Sequence, residues 1–307
     1  MKILPVISPK GGEGKSTFAA YLAGFCADAG LKTLLIDADW SQPTASSIFS
    51  LSEEAPFGLY ELLMQMVPDP LQAISRASIN NLDIVYSNDP DELLPTAMLH
   101  AADGRLRLRN ILQNPSFSRY DLIIVDSKGA TGVMTELSVL SSTGNVMGIV
   151  KPILPDVREF IRGSLHMFTR LKTYEIYGIH LPDISILINC IENTLLDREA
   201  MESLSNIISQ KKYDSSALNT RAEWQHLTDL ERGCVRTVEP FESVAQEDIR
   251  DIRVLLRILL PLGLFAELVR FGVARAVARP RIGEGRGGRA IIRWPEDSQG
   301  GKEEPHE

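Results

Sequence analysis

Residues 10–17 read Lys-Gly-Gly-Glu-Gly-Lys-Ser-Thr, between a short apolar run at Ile3–Ser8 and an apolar-periodic stretch from about Ser16 to Ala29. A glycine-rich segment that follows a strand and opens a helix is a phosphate-binding loop in its confirming context. The chemistry explains the residue types. Gly11, Gly12 and Gly14 let backbone N–H groups turn toward phosphate oxygens around Glu13, and the helix N-terminus adds a partial positive charge. Lys15 reaches the terminal phosphates, the Ser16 hydroxyl is a hard ligand for Mg²⁺, and Thr17 reaches an earlier phosphate. A glycine turn that merely caps a helix would need all these positions to agree by coincidence.

The loop fixes the expected architecture. Gly30 stops the first helix, and strand-like apolar runs recur at Thr33–Ile36, Leu82–Tyr86, Leu122–Val125, Val146–Val150 and Ile184–Ile188, with helical patterns between them. Continuously apolar strands separated by helices indicate an α/β fold, a doubly wound and mostly parallel sheet of the P-loop NTPase type, covered on both faces. Pro5 is the misfit, because proline removes a ladder donor from a central strand. Asp37 and Asp39 end the second strand and Asp126 ends the run Asp121–Val125. Carboxylates at that edge, beside a phosphate loop, hold the waters of a magnesium ion and orient an attacking water, or else they solvate turns.

Composition narrows the classes. Of the 307 residues 44% are apolar and 23% charged, the profile of a chain that folds. The longest uncharged stretches, such as Leu137 to Val150, fall short of the roughly 20 residues a membrane-crossing helix requires. The N-terminus lacks the features of a secretory signal, so a cytoplasmic address is expected. Three cysteines, Cys26, Cys190 and Cys234, have no CxxC spacing and read as buried thiols.

The net charge of −8 conceals a reversal. Residues 250–293 carry ten arginines against three acidic residues, and residues 294–307 return to an acidic tail. In the helical pattern at about 249–260, Arg250, Arg253 and Arg257 form a stripe that either meets nucleic-acid phosphates or is an ordinary solvated face. The expected organisation is a nucleotide-binding domain over 1–260 and an Arg-rich extension over 261–307, whose segment PRIGEGRGGR reads as flexible and unpacked.

The general phosphate loop places glycine where this chain has Pro9, and then adds a second lysine, Lys10. In this the sequence resembles the deviant Walker A group of P-loop ATPases, KGGxGK[ST], which includes the ParA, Soj and MinD proteins. The runs DADWSQPTASS, YDLIIVDSKGATG and REFIRG look like ParA/Soj proteins of integrative and conjugative elements, over about residues 1–260. The resemblance implies that ATP and Mg²⁺ bind and that ATP joins a homodimer. It also implies that Lys10 crosses to the partner's nucleotide. It makes Lys15 and Asp126 part of the catalytic set, with Asp126 the Walker B residue, Asp39 the water-positioning residue, Asp37 an outer-shell magnesium group and Asn189 the reader of adenine. It further implies a slow switch ATPase for DNA partition, stimulated by a ParB-like partner, bound non-specifically to DNA and nucleoid-associated. Trp40 and Lys128 depart from the usual switch motifs, and Trp40 reads equally as switch residue or core. Arg158 and Arg162, at i and i+4, read first as a solvated face. The alternative is a MinD-like membrane-associated switch through Pro261–Ala278, disfavoured by Glu267 and the acidic tail, so membrane binding is not expected. An iron-protein role would need paired cysteines, and a capsule-type tyrosine kinase would need a terminal tyrosine cluster, whereas the last tyrosine is Tyr213.

Overall fold

The computed structural model describes residues 1–8, 10–89, 91–129, 132–190, 194–200 and 202, and the strand segments 281–284 and 290–293. The chain divides into two units, residues 1–257 and 258–307. The first holds β1 (Lys2–Ile7), α1 (Lys15–Asp28), β2 (Thr33–Ala38), β3 (Leu51–Glu53), α2 (Leu59–Leu63), β4 (Ser75–Ala77) and β5 (Leu82–Val85). It continues with α3 (Leu94–His100), α4 (Arg107–Leu112), β6 (Leu122–Ser127), α5 (Val133–Ser141), β7 (Asn145–Val150), α6 (Leu154–Leu171) and β8 (Asp183–Ile188). The sheet order is β3-β4-β5-β2-β6-β1-β7-β8. The six strands from β5 to β8 run parallel, while β3 and β4 add an antiparallel edge. The expected doubly wound, mostly parallel α/β sheet is the observed one.

Every residue of β2 and β6 is buried, as a strand covered on both faces requires. Leu34, Ile36, Ile123 and Val125 point into a core built with α2, α3, α4 and α5. The alternate residues Leu35 and Ile124 face the other side. There α1 packs on β1, β2 and β6 through Ala19, Ala20, Ala23 and Ala27, whose small side chains let the helix lie close to the sheet. On the far side of β1, α6 buries Val157, Phe160, Ile161, Met167, Phe168 and Leu171 in a second core. A Cβ on Gly148 would lie 2.3 Å from the Phe160 ring, so only glycine in β7 admits that contact. Between the helices, buried Glu136 of α5 accepts from Arg105 at 2.6 Å and from Arg170 of α6 at 2.5 Å.

Pro5 does sit in the central strand, and the ladder accommodates it. Carbonyl and N–H of one strand residue point the same way and alternate along the strand. Ile3 directs its N–H to Thr143 Oγ1 at 2.8 Å, so the missing donor of Pro5 faces that same side. There the pairing with β7 begins only at Val6. Two expectations are corrected. Cys26 is buried, its thiol pushed up to about 12 by burial, but Cys190 lies just past β8 and is exposed. In the second unit β9 (Arg281–Glu284), which lies in the segment read as unpacked, pairs antiparallel with β10 (Ala290–Arg293), which follows that segment. Ile282, Ile291 and Ile292 are the β-formers that the surrounding glycine and arginine masked. Arg250, Arg253, Arg257, Cys234 and Pro261–Ala278 lie outside the described residues. Among the described residues no helix is long and apolar enough to cross a membrane.

Candidate nucleotide site

The loop after β1 emerges at the carboxyl edge of the sheet, where doubly wound folds place their ligands. Gly12 and Gly14 have φ of +81° and +84°, the left-handed region that favours glycine. A Cβ built on Gly11 or Gly12 meets nothing within 4 Å, so the loop faces open space. Behind it the packing is tight. A Cβ on Gly14 would stand 2.3 Å from Asn189 Nδ2, and that amide donates to the Glu13 carbonyl at 2.9 Å. Glu13 itself is buried. Its Oε2 accepts the Lys151 N–H at 2.7 Å, its Oε1 has no partner, and burial raises its pKa. On the other flank a Cβ on Gly129, just past β6, would lie 2.4 Å from the Lys10 carbonyl oxygen.

Four expected residues meet at the centre. Lys15, 5% exposed, pairs with Asp126, which is fully buried, and also lies 3.3 Å from Ser16 Oγ. Burial raises the Asp126 carboxyl, and Lys15 opposes that shift. Asp126 Oδ2 is buried without a partner. Asp37 is the register neighbour of Asp126 on β2, and it is fully buried too. Its Oδ2 accepts the Ser46 N–H at 2.9 Å and hydroxyl at 2.8 Å, and its Oδ1 accepts the Asp39 N–H at 3.2 Å. Burial first, then the charge of Asp126, pushes Asp37 up to about 6. Two buried carboxylates, one with an unpartnered oxygen, and the Ser16 hydroxyl are a hard-oxygen donor set of the kind a magnesium ion and its waters use. Glycines at left-handed angles below open space fit a polyphosphate.

Asp39 lies at the mouth, its Oδ1 accepting the Ser41 hydroxyl at 2.8 Å and the Ser41 and Gln42 N–H groups at 3.2 Å each. For Trp40 the structure bears on the core reading alone. It packs on the core, and the Lys128 ammonium sits 3.6 Å from its ring centroid. The segments after β2 and β6 thus touch through a cation–π contact. Lys10 lies away from this centre, with its Nζ donating to Asp156 Oδ1 in the first turn of α6 at 2.6 Å. Arg158 and Arg162 are exposed on α6. Sequence reasoning missed Asp156, Ser46 and the buried state of Glu13. Only the acid at the third position of α6 carries a local signal, since carboxylates favour a helix N-terminus.

Comparison with known proteins agrees with this geometry. Residues 1–151 match a family described as an AAA domain. The cell division protein PomZ of Myxococcus xanthus is 27% identical over 197 residues, 64% of this chain and 60% of PomZ, so the chain spans less than two thirds of that relative. The sporulation initiation inhibitor protein Soj of Bacillus subtilis is 25% identical over 219 residues, 69% of this chain and 79% of Soj. Among solved structures, a variant of McdA from Cyanothece in complex with ATP superposes with a TM-score of 0.59 at 18% identity. That match covers 76% of this chain and 95% of McdA, and shows a shared fold. Together these likenesses indicate a ParA/MinD-family partition or positioning ATPase as the kind of protein the chain resembles.

Proposed function

We propose that this chain is a ParA/MinD-type switch ATPase that dimerises on ATP and segregates or positions a DNA element. The observation that carries the reading is the convergence of Lys15, Ser16, Asp126 and Asp37 beneath an open glycine loop. Magnesium, when bound, neutralises phosphate charge and fixes its geometry, and Ser16, Asp126 and Asp37 are the residues that would hold it and its waters. The polyphosphate draws Lys15 off Asp126 and onto its terminal oxygens, so nucleotide replaces a buried ion pair with a stronger set of charge-assisted bonds. Asp39, held by Ser41 and Gln42, orients the water that attacks the terminal phosphorus, releasing ADP and phosphate. Lys10 supplies a cation to the second copy's nucleotide, and Asn189 stands on the base side. In this reading a ParB-like protein stimulates turnover, and non-specific DNA contacts come from Arg250, Arg253 and Arg257.

Sedimentation with ATP–Mg²⁺ and with ADP, on the wild type and Lys10→Ala, tests it. The wild type should dimerise on ATP alone and the variant should stay monomeric while still binding nucleotide. A wild type that binds ATP without dimerising refutes the switch. A failure of ATP to increase retention on random duplex DNA at low salt refutes the DNA half.

A further inference from the structure

Lys10 and Asp156 form an unequal pair. The Lys10 side chain is 51% exposed, whereas that of Asp156 is 6% exposed, with Oδ2 buried and unpartnered. Asp156 owes its place to the start of α6, where Pro155 fixes the entry and an acid in the first turn faces the helix dipole. The loop then brings Lys10 to it from the end of β1, and both Glu13 and Glu159 add to the field that holds the ammonium charged. A buried carboxylate with one unmet oxygen gains more from a cation than an exposed one does.

We propose that Asp156 is the positioning residue that holds Lys10 against its own subunit, so that the pair must open before Lys10 can reach a second copy of the chain. The inference rests on the ATP-dimer reading above and adds a cis competitor to it. Each dimer opens two such pairs, and each opening leaves a buried carboxylate without its cation. The pair therefore sets a threshold that ATP binding alone must overcome, and it weakens the dimer without touching the phosphates. Asp156→Asn keeps the shape and one acceptor but discards the charge, while Asp156→Glu keeps the charge.

Two readouts separate this claim from the reading beneath it. The first is the acylation rate of the Lys10 amine in nucleotide-free protein, followed by mass spectrometry. Losing Asp156 lowers the proton affinity of Lys10 and frees it, so Asp156→Asn should label faster by about threefold, and Asp156→Glu should fall between the two. The second is the ATP-dependent dimer constant from sedimentation. At about threefold per pair and two pairs per dimer, Asp156→Asn should dimerise about ninefold more tightly than the wild type. Unchanged labelling overturns the proposal and leaves Asp156 a helix-start residue only. Faster labelling with an unchanged or weaker dimer also overturns it. If neither protein dimerises while both bind ATP, the switch reading fails and the proposal falls with it, whatever the labelling shows.

Discussion

Asp37 offers a quantitative test of the buried acid pair. It is fully buried beside Asp126, and its carboxyl is pushed up to about 6 from an ordinary value of 3.8. The folded chain therefore keeps this proton to higher pH than the unfolded chain does. Between those two values the native state binds the extra proton, so stability falls as pH rises through the window and the full cost is present above it. The acid limit and neutral pH differ by about 3 kcal/mol, from roughly two pKa units at about 1.4 kcal/mol each. Between pH 4.5 and pH 7.5 the same linkage gives about 2 kcal/mol. Because the two carboxylates interact, the titration belongs to the pair.

Urea unfolding of the wild type and of Asp37→Ser at pH 4.5 and 7.5 isolates the effect, since every other titrating group except Asp126 cancels in the difference. The wild type should gain about 2 kcal/mol over the variant on going to pH 4.5. Saturating ATP–Mg²⁺ should shrink that gain, because a cation beside the carboxylates favours their charged form. A stability difference that stays constant between the two pH values would refute the burial argument. So would a gain with the opposite sign.

Lys15→Met should abolish ATP binding in calorimetry and destabilise the fold by about 3 kcal/mol at pH 8, less at pH 5, since an Asp126 left without its cation takes up a proton. Gly129→Ala places a methyl 2.4 Å from the Lys10 carbonyl oxygen, so the loops must part by about 1 Å. Thermal unfolding should fall by about 1–3 kcal/mol and nucleotide affinity should fall with it; an unchanged affinity would mean that Gly129 does not shape the loop. Glu136→Ala removes the shared acceptor of Arg105 and Arg170 and should cost about 2 kcal/mol in urea unfolding, with ATP binding kept. Loss of ATP binding there would show that the helix layer, and not only the loop, governs the site.

The central strands were legible because burial on both faces makes β2 and β6 run apolar up to the aspartates near their ends, and α6 left a 3.6-residue pattern. The antiparallel edge was not. β3 and β4 are three residues each, Leu-Ser-Glu and Ser-Arg-Ala, too short and too polar to show a period of two. Pro5 looked disqualifying because a sequence does not say which side of a strand a residue's N–H faces. The loop and the three aspartates were legible because each stands at a strand end, where the parallel fold delivers it to one edge. Lys128 over Trp40 and Asp156 under Lys10 were not, because each joins segments that only the strand order brings together, and Ser46 under Asp37 depends on how the chain folds back after β2.

That strand order explains why the loop meets so many partners at once. β1 lies between β6 and β7, so the chain leaving it passes between the exits of both neighbours. Gly129 presses on it from the β6 side; Lys151 and Asp156 hold it from the β7 and α6 side, and Asn189 holds it from β8. The tethers end on two residues of the loop, Lys10 and Glu13. A phosphate that draws Lys15 away from Asp126 therefore acts on a segment already fastened to three strand exits. In the proposed switch its movement would reach β6 through Asp126 and α6 through Lys10, each by a direct contact of the loop and without a distant pathway.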